Sequence, residues 1–114
     1  MMALFASEAQ VRALTPDFAK VNRIGAFGVI ATAPGDSSDC ASRYFVPQAG
    51  VNEDPVTGAA HCQLVPWWSE RLAKPELFAR QVSARGGELW CEARGERVTL
   101  AGQAVDYLEG VITV

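Results

Sequence analysis

The chain has 114 residues, enough for one compact domain and too few for two. Ten Lys and Arg against thirteen Asp and Glu leave a net charge of -3 and a pI near 5.0, so no basic surface is on offer for nucleic acid or an anionic membrane. An apolar share of 49% with 20% charged residues is too rich in core formers for a disordered chain. In chain order, Thr15-Pro16-Asp17-Phe18 reads as a helix start with Thr15 at the N-cap and Pro16 at the first helical position. Leu14, Phe18 and Val21 then share a face, and Gly25 stops the helix. Ala26–Thr32 has the continuous apolar pattern of a buried strand, and residues 34–39 form a turn. Arg43–Val46 predicts a short strand ended by Pro47, while residues 48–58 look too broken for regular structure.

Ala59–Leu72 predicts a helix apolar on nearly all sides, hence central and buried, with Pro66 costing it a backbone bond or kinking it. From Ala79 onward the pattern turns to short strands at 81–83, 88–93, 97–101, 104–108 and 111–114, with hairpin turns at Arg94-Gly95-Glu96 and Glu109-Gly110. These elements together predict one α+β domain over residues 1–114, an antiparallel sheet enclosing the apolar helix with a second helix outside.

The longest apolar run, Gly25–Ala33, falls far short of the ~20 residues a membrane-spanning helix requires, and Met1–Ala6 lacks the basic start of a secretory signal. Cys40, Cys62 and Cys91 are odd in number and widely spaced, which gives neither a disulfide framework nor a zinc motif and points to a reducing cytoplasm. A single histidine, His61, excludes a His-rich metal site.

The most informative stretch runs from Val51 through Asn52-Glu53-Asp54-Pro55-Val56-Thr57-Gly58-Ala59-Ala60 to His61. Two acids precede a small-residue helix start, whose unpaired N–H groups and positive dipole end can receive a carboxylate or phosphate. Gly58 and Ala59 leave such a ligand room at the backbone. On residue chemistry alone a blander account stands beside this one, in which Asp54 or Thr57 only caps the helix and Glu53 is solvated.

Ser42-Arg43-Tyr44-Phe45-Val46-Pro47, followed by Gly50 to Cys62, strongly resembles the phenazine-biosynthesis PhzF-like family. Pro66-Trp67-Trp68, residues 81–87, Arg97-Val98 and residues 102–105 continue the likeness in the family's order, from about Glu8 to the C-terminus. The resemblance implies a diaminopimelate epimerase-like fold, in which each of two domains is a curved antiparallel half-barrel wrapped around a central helix. This chain resembles only the second domain. The family's glutamate acid/base and its Gly-Asn-Pro motif belong to the first.

Carried over residue by residue, Asp54 matches the family's active-site aspartate, and Thr57, Gly58 and Ala59 match the turn that offers backbone N–H groups to a substrate carboxylate. Many members have serine at Ala59, so one hydroxyl donor is missing here. Ser42 and Arg43 match a strand near the cleft. The implied activity is cofactor-independent, metal-free proton-transfer isomerisation of a small carboxylate-bearing metabolite. It would need a partner, either a separate N-terminal half or a second copy in a homodimer. A rival from another class is a non-catalytic module for small-anion binding or oligomerisation.

The remaining chemistry-bearing residues have structural readings. His61 fits a helix histidine bonded to backbone, the three cysteines fit small core hydrophobes, and Trp67 and Trp68 fit core or interface anchors. Arg85-Gly86-Gly87 fits a strand bend or bulge better than a lone RNA-binding element in an acidic chain.

Overall fold

The computed structural model describes residues 1–114. Seven strands form a single sheet: β1 (Met2–Leu4), β2 (Val29–Pro34), β3 (Cys40–Phe45), β4 (Glu53–Asp54), β5 (Glu76–Gln81), β6 (Gly87–Arg94) and β7 (Arg97–Ala101). Their order is β1-β2-β3-β5-β6-β7, with β4 pairing β3 beyond the reach of β5. Three helices, α1 (Glu8–Arg12), α2 (Phe18–Asn22) and α3 (Gly58–Leu72), lie against it, and a 3-10 turn covers Pro47–Ala49.

Strand alternation sorts the side chains into two layers. Ile30, Cys40, Leu77, Ala79, Leu89 and Cys91 point to one face and meet Ala60, Leu64, Val65 and Trp68 of α3. Ala31, Ala33, Ala41, Phe45 and Val82 gather with Val11 in a second cluster, against which Leu14, Phe18 and Val21 pack. The sheet is therefore covered on both faces, by α3 on one and by α1 and α2 on the other.

Several expectations are corrected. The sheet is mixed: β1 runs parallel to β2 and β3 parallel to β5. Both parallel pairs are joined by segments containing helices, the connection that parallel neighbours require. Residues 48–58, expected to be irregular, overlap the Pro47–Ala49 turn, contain β4 and end on the first residue of α3. Asp17, not Thr15, caps α2, its carboxylate accepting the Lys20 N–H at 3.1 Å. The first helical residue is accordingly Phe18, and Pro16 lies ahead of the cap.

The strands expected at 104–108 and 111–114 do not form; residues 102–114 have no regular structure and are exposed throughout. Val105, Tyr107 and Val111 are each more than 90% exposed, with no neighbouring strand to take their backbone groups. α3 is buried on one face rather than all round. Ala60, His61, Leu64, Val65 and Trp68 turn inward, while Cys62, Gln63, Pro66 and Leu72 are exposed. Cys62 is consequently a surface thiol, not a core residue. Pro66 sits on the solvent side of an unbroken helix, where water can serve the carbonyl it leaves unbonded.

Candidate functional site

Strand alternation separates the adjacent acids Glu53 and Asp54. Glu53 pairs with Phe45 across β3–β4, and Asp54 pairs with Tyr44. Glu53 thereby turns toward the α1 side, where its two oxygens each accept from the Arg43 guanidinium at 2.8 Å. That guanidinium also donates to the carbonyls of Val11, Arg12 and Leu14, and it lies 4.9 Å from the Phe45 ring centre. Arg43 is thus taken up in holding the end of α1 to β3 and β4, and Glu53 is its counter-ion rather than a solvated loop acid.

Asp54 turns the other way. Its carboxylate accepts from the Thr57 hydroxyl, and the Thr57 hydroxyl in turn accepts from the Gln81 amide at 3.1 Å. The same Gln81 amide donates to the Asp54 carbonyl at 2.6 Å, while its oxygen accepts the Thr57 N–H at 2.8 Å. Gln81 is fully buried and fixes the whole Asp54–Thr57 loop from β5. Sequence alone does not single it out: Gln81 ends a strand that also carries Glu76 and Arg80, and only its position on the buried face sets it apart.

Thr57 occupies the N-cap of α3 without capping it, since its hydroxyl is committed to Asp54. Its own N–H goes to Gln81 and is not available to a ligand. The N–H groups of Gly58, Ala59 and Ala60 meet no acceptor in the chain. Three donors and the positive end of a four-turn helix therefore converge beside a carboxylate held by a hydroxyl, an arrangement suited to an anion.

This end of α3 opens onto a cleft of about 570 Å³ lined by Val56, Gly58, Arg85, Glu88, Trp90 and Leu100 among others. Of the candidate site residues named from the sequence, Asp54, Thr57, Gly58, Ala59, Ser42 and Arg43, only Gly58 lines it directly, while Arg85, Gly86 and Gly87, read there as a strand bend, line it too. Asp54, Thr57 and Ala59 stand next to it along the chain, and Ser42 and Arg43 do not reach it.

Behind the loop, a polar row crosses the sheet. Thr32, Ser42 and Gln81 are in register on neighbouring strands and share the face toward α3. Opposite them, Thr57, His61 and Trp68 lie on one stripe of α3. The ends of the two rows are joined, Trp68 Nε1 donating to Thr32 Oγ1 at 3.0 Å and Gln81 meeting Thr57. Their middle members, Ser42 Oγ and His61 Nε2, are the two buried polar side-chain atoms without a hydrogen-bond partner. His61 Nδ1 lies 2.8 Å from the Thr57 carbonyl, which can only accept, so the proton sits on Nδ1. Burial pushes the His61 pKa down, outweighing that hydrogen bond, and the ring is neutral at pH 7.

The buried thiols are inert. Burial pushes Cys40 up to about 12 and Cys91 up to about 11, each assisted by a neighbouring thiol, so neither supplies a thiolate. No group of three or more His, Cys, Asp or Glu side chains comes together to hold a metal ion. No helix is long and apolar enough to cross a membrane.

The model of the phenazine biosynthesis-like family, PhzC-PhzF, matches residues 1–110. The chain belongs to that family. It is 54% identical over 112 residues to an uncharacterized isomerase of Pseudomonas aeruginosa, a match spanning 98% of this chain and 43% of the relative. The crystal structure of a PhzC/PhzF phenazine biosynthesis protein from Clostridium difficile superposes with a TM-score of 0.89 at 40% identity, covering 99% of this chain and 44% of that one. A PhzF-family protein from Enterococcus faecalis gives 0.87 at 45% identity, covering 89% and 39%. The mixed α+β fold is thus that of these proteins, and the chain spans about two-fifths of their length.

Proposed function

We propose that this chain is the half of a PhzF-like isomerase that supplies Asp54 and the carboxylate-receiving end of α3. The supporting observation is the trio of unpartnered N–H groups at Gly58, Ala59 and Ala60, next to an Asp54 whose carboxylate accepts from Thr57 and whose carbonyl accepts from Gln81. In this reading the substrate is a small carboxylate-bearing metabolite, and its carboxylate rests on those amides. The negative charge that develops next to it when a proton leaves the neighbouring carbon is then stabilised by groups already in position. Asp54 helps hold the substrate and the proton-transfer geometry. No cofactor or metal takes part.

The sheet would curve around α3 as one half-barrel of a diaminopimelate epimerase-like pair. A second half, from an N-terminal partner or a second copy of this chain, would close the cleft and bring the family's glutamate as acid and base. A general base must reach the carbon acid within hydrogen-bond distance. Asp54, the acid nearest the amides, is tied to Thr57. The 114-residue chain by itself should therefore turn substrate over weakly or not at all.

The test is an amide ¹H–¹⁵N titration of the chain with butyrate. The cross-peaks of Gly58, Ala59 and Ala60 should move most, and the melting temperature should rise with ligand as linkage requires. A folded sample in which these three peaks stay fixed at tens of millimolar butyrate would overturn the proposal.

A further inference from the structure

Arg85 lines the same cleft from the turn between β5 and β6. Its turn is fastened to the Asp54–Thr57 loop at several points. Gln81 bonds the Asp54 carbonyl and the Thr57 N–H, and Ser83 Oγ donates to the Pro55 carbonyl at 2.9 Å while accepting the Gly86 N–H at 3.0 Å. Gly86 closes the turn at φ 73°, in the left-handed region that favours glycine. A Cβ at Gly87 would overlap a methyl of Val56, so only glycine lets the two loops meet.

The residue so placed carries an uncommitted charge. Arg12, Arg43, Arg80 and Arg94 are paired with Glu8, Glu53, Glu88 and Glu92; Arg85, like Arg23 and Arg97, has neither an ion pair nor a side-chain hydrogen bond in the chain, and of these three only Arg85 lines the cleft. Glu88, the one carboxylate lining the cleft, lies 3.5 Å from Arg80 Nε, which offsets its charge. Arg85 therefore faces the cleft as a cation with a fork geometry matched to a carboxylate. At about 570 Å³ the cleft is large enough for a metabolite that reaches from one anion-directed element to the other.

We propose that Arg85 is a substrate-binding residue that selects a dicarboxylate, taking the second carboxylate of a ligand whose first rests on the amides of α3. This builds on the carboxylate role given to those amides above. The amides hold the end where the proton moves, and Arg85 sets the length and charge of the acceptable substrate.

Calorimetric titration of the 114-residue chain with glutarate and with butyrate at low salt tests this, with R85Q and R85K alongside and circular dichroism to confirm folding. Glutarate should bind about tenfold tighter than butyrate, the worth of one charge-assisted contact. R85Q should abolish that preference, and R85K should restore part of it. Equal affinity for the two acids, or a preference that survives R85Q, would overturn the role of Arg85 and leave the amide site standing. Failure of the wild-type chain to bind either acid would overturn both.

Discussion

The two faces of the sheet are built on different principles. On the α1 and α2 side, Ala31, Ala33, Ala41, Val82 and Val11 form an apolar cluster, and polar bonds lie at its margin, where Arg43 meets Glu53 and Arg12 meets Glu8. On the α3 side the polar groups run through the middle, from Trp68 and Thr32 past Ser42 and His61 to Gln81, Thr57 and Asp54. Buried polar groups are costly unless paired, so this row would be a weak way to gain stability alone. Its effect is to hold one loop in one geometry. One face keeps the domain folded, and the other also positions the site.

Core truncation gives the largest expected effect. Leu64 is completely buried among Ile30, Leu77 and Leu89, so Leu64→Ala should cost about 2–5 kcal/mol in chemical denaturation. On the other face, Arg43→Gln strips a partly buried Glu53 of its partner and frees three carbonyls; a loss of about 2 kcal/mol is expected, with carboxylate affinity unchanged. Gln81→Leu should lose about 1–3 kcal/mol by orphaning the Thr57 N–H and the Asp54 carbonyl, and it should also weaken butyrate binding. If Gln81→Leu and Arg43→Gln affected binding alike, the division of labour between the faces would be wrong.

Two smaller effects sharpen the contrast. His61 is the only histidine, so a single ring resonance reports its titration by NMR. Its folded pKa lies below the usual 6.5 because it is buried, and the unfolded chain therefore binds more protons between that value and 6.5. Stability should be complete above pH 6.5 and fall as the pH drops through the folded pKa. An NMR midpoint at or above 6.5 would contradict a neutral, enclosed ring. The smallest effect belongs to the tail. Deleting residues 104–114 should leave the melting temperature within about a degree, since they are exposed and have no regular structure.

Much of this was legible beforehand. The start of α3 was read within one residue from Thr57-Gly58, and β7 was read at its full extent, because local turn chemistry and periodicity mark both. The sequence analysis places no helix at residues 8–12, yet α1 also has a local signal. Ser7 accepts the Gln10 N–H and Gln10 reaches back to the Ala6 N–H, a near capping box written in Ser7-Glu8-Ala9-Gln10. The tail misled for the opposite reason: its alternating apolar residues have strand character, but a strand exists only beside another.

Sequence by itself determined the family, the α+β class and the helix start that carries Gly58 and Ala59, because motifs, turns and periodicity are written in short stretches of chain. Only the tertiary structure decided that Glu53 and Asp54 serve different faces, that Arg43 is engaged while Arg85 is free, and that Gln81 governs the loop. Those assignments depend on pairings between positions about ten to thirty residues apart. Spacing along a chain says nothing of which distant partner a polar group will meet.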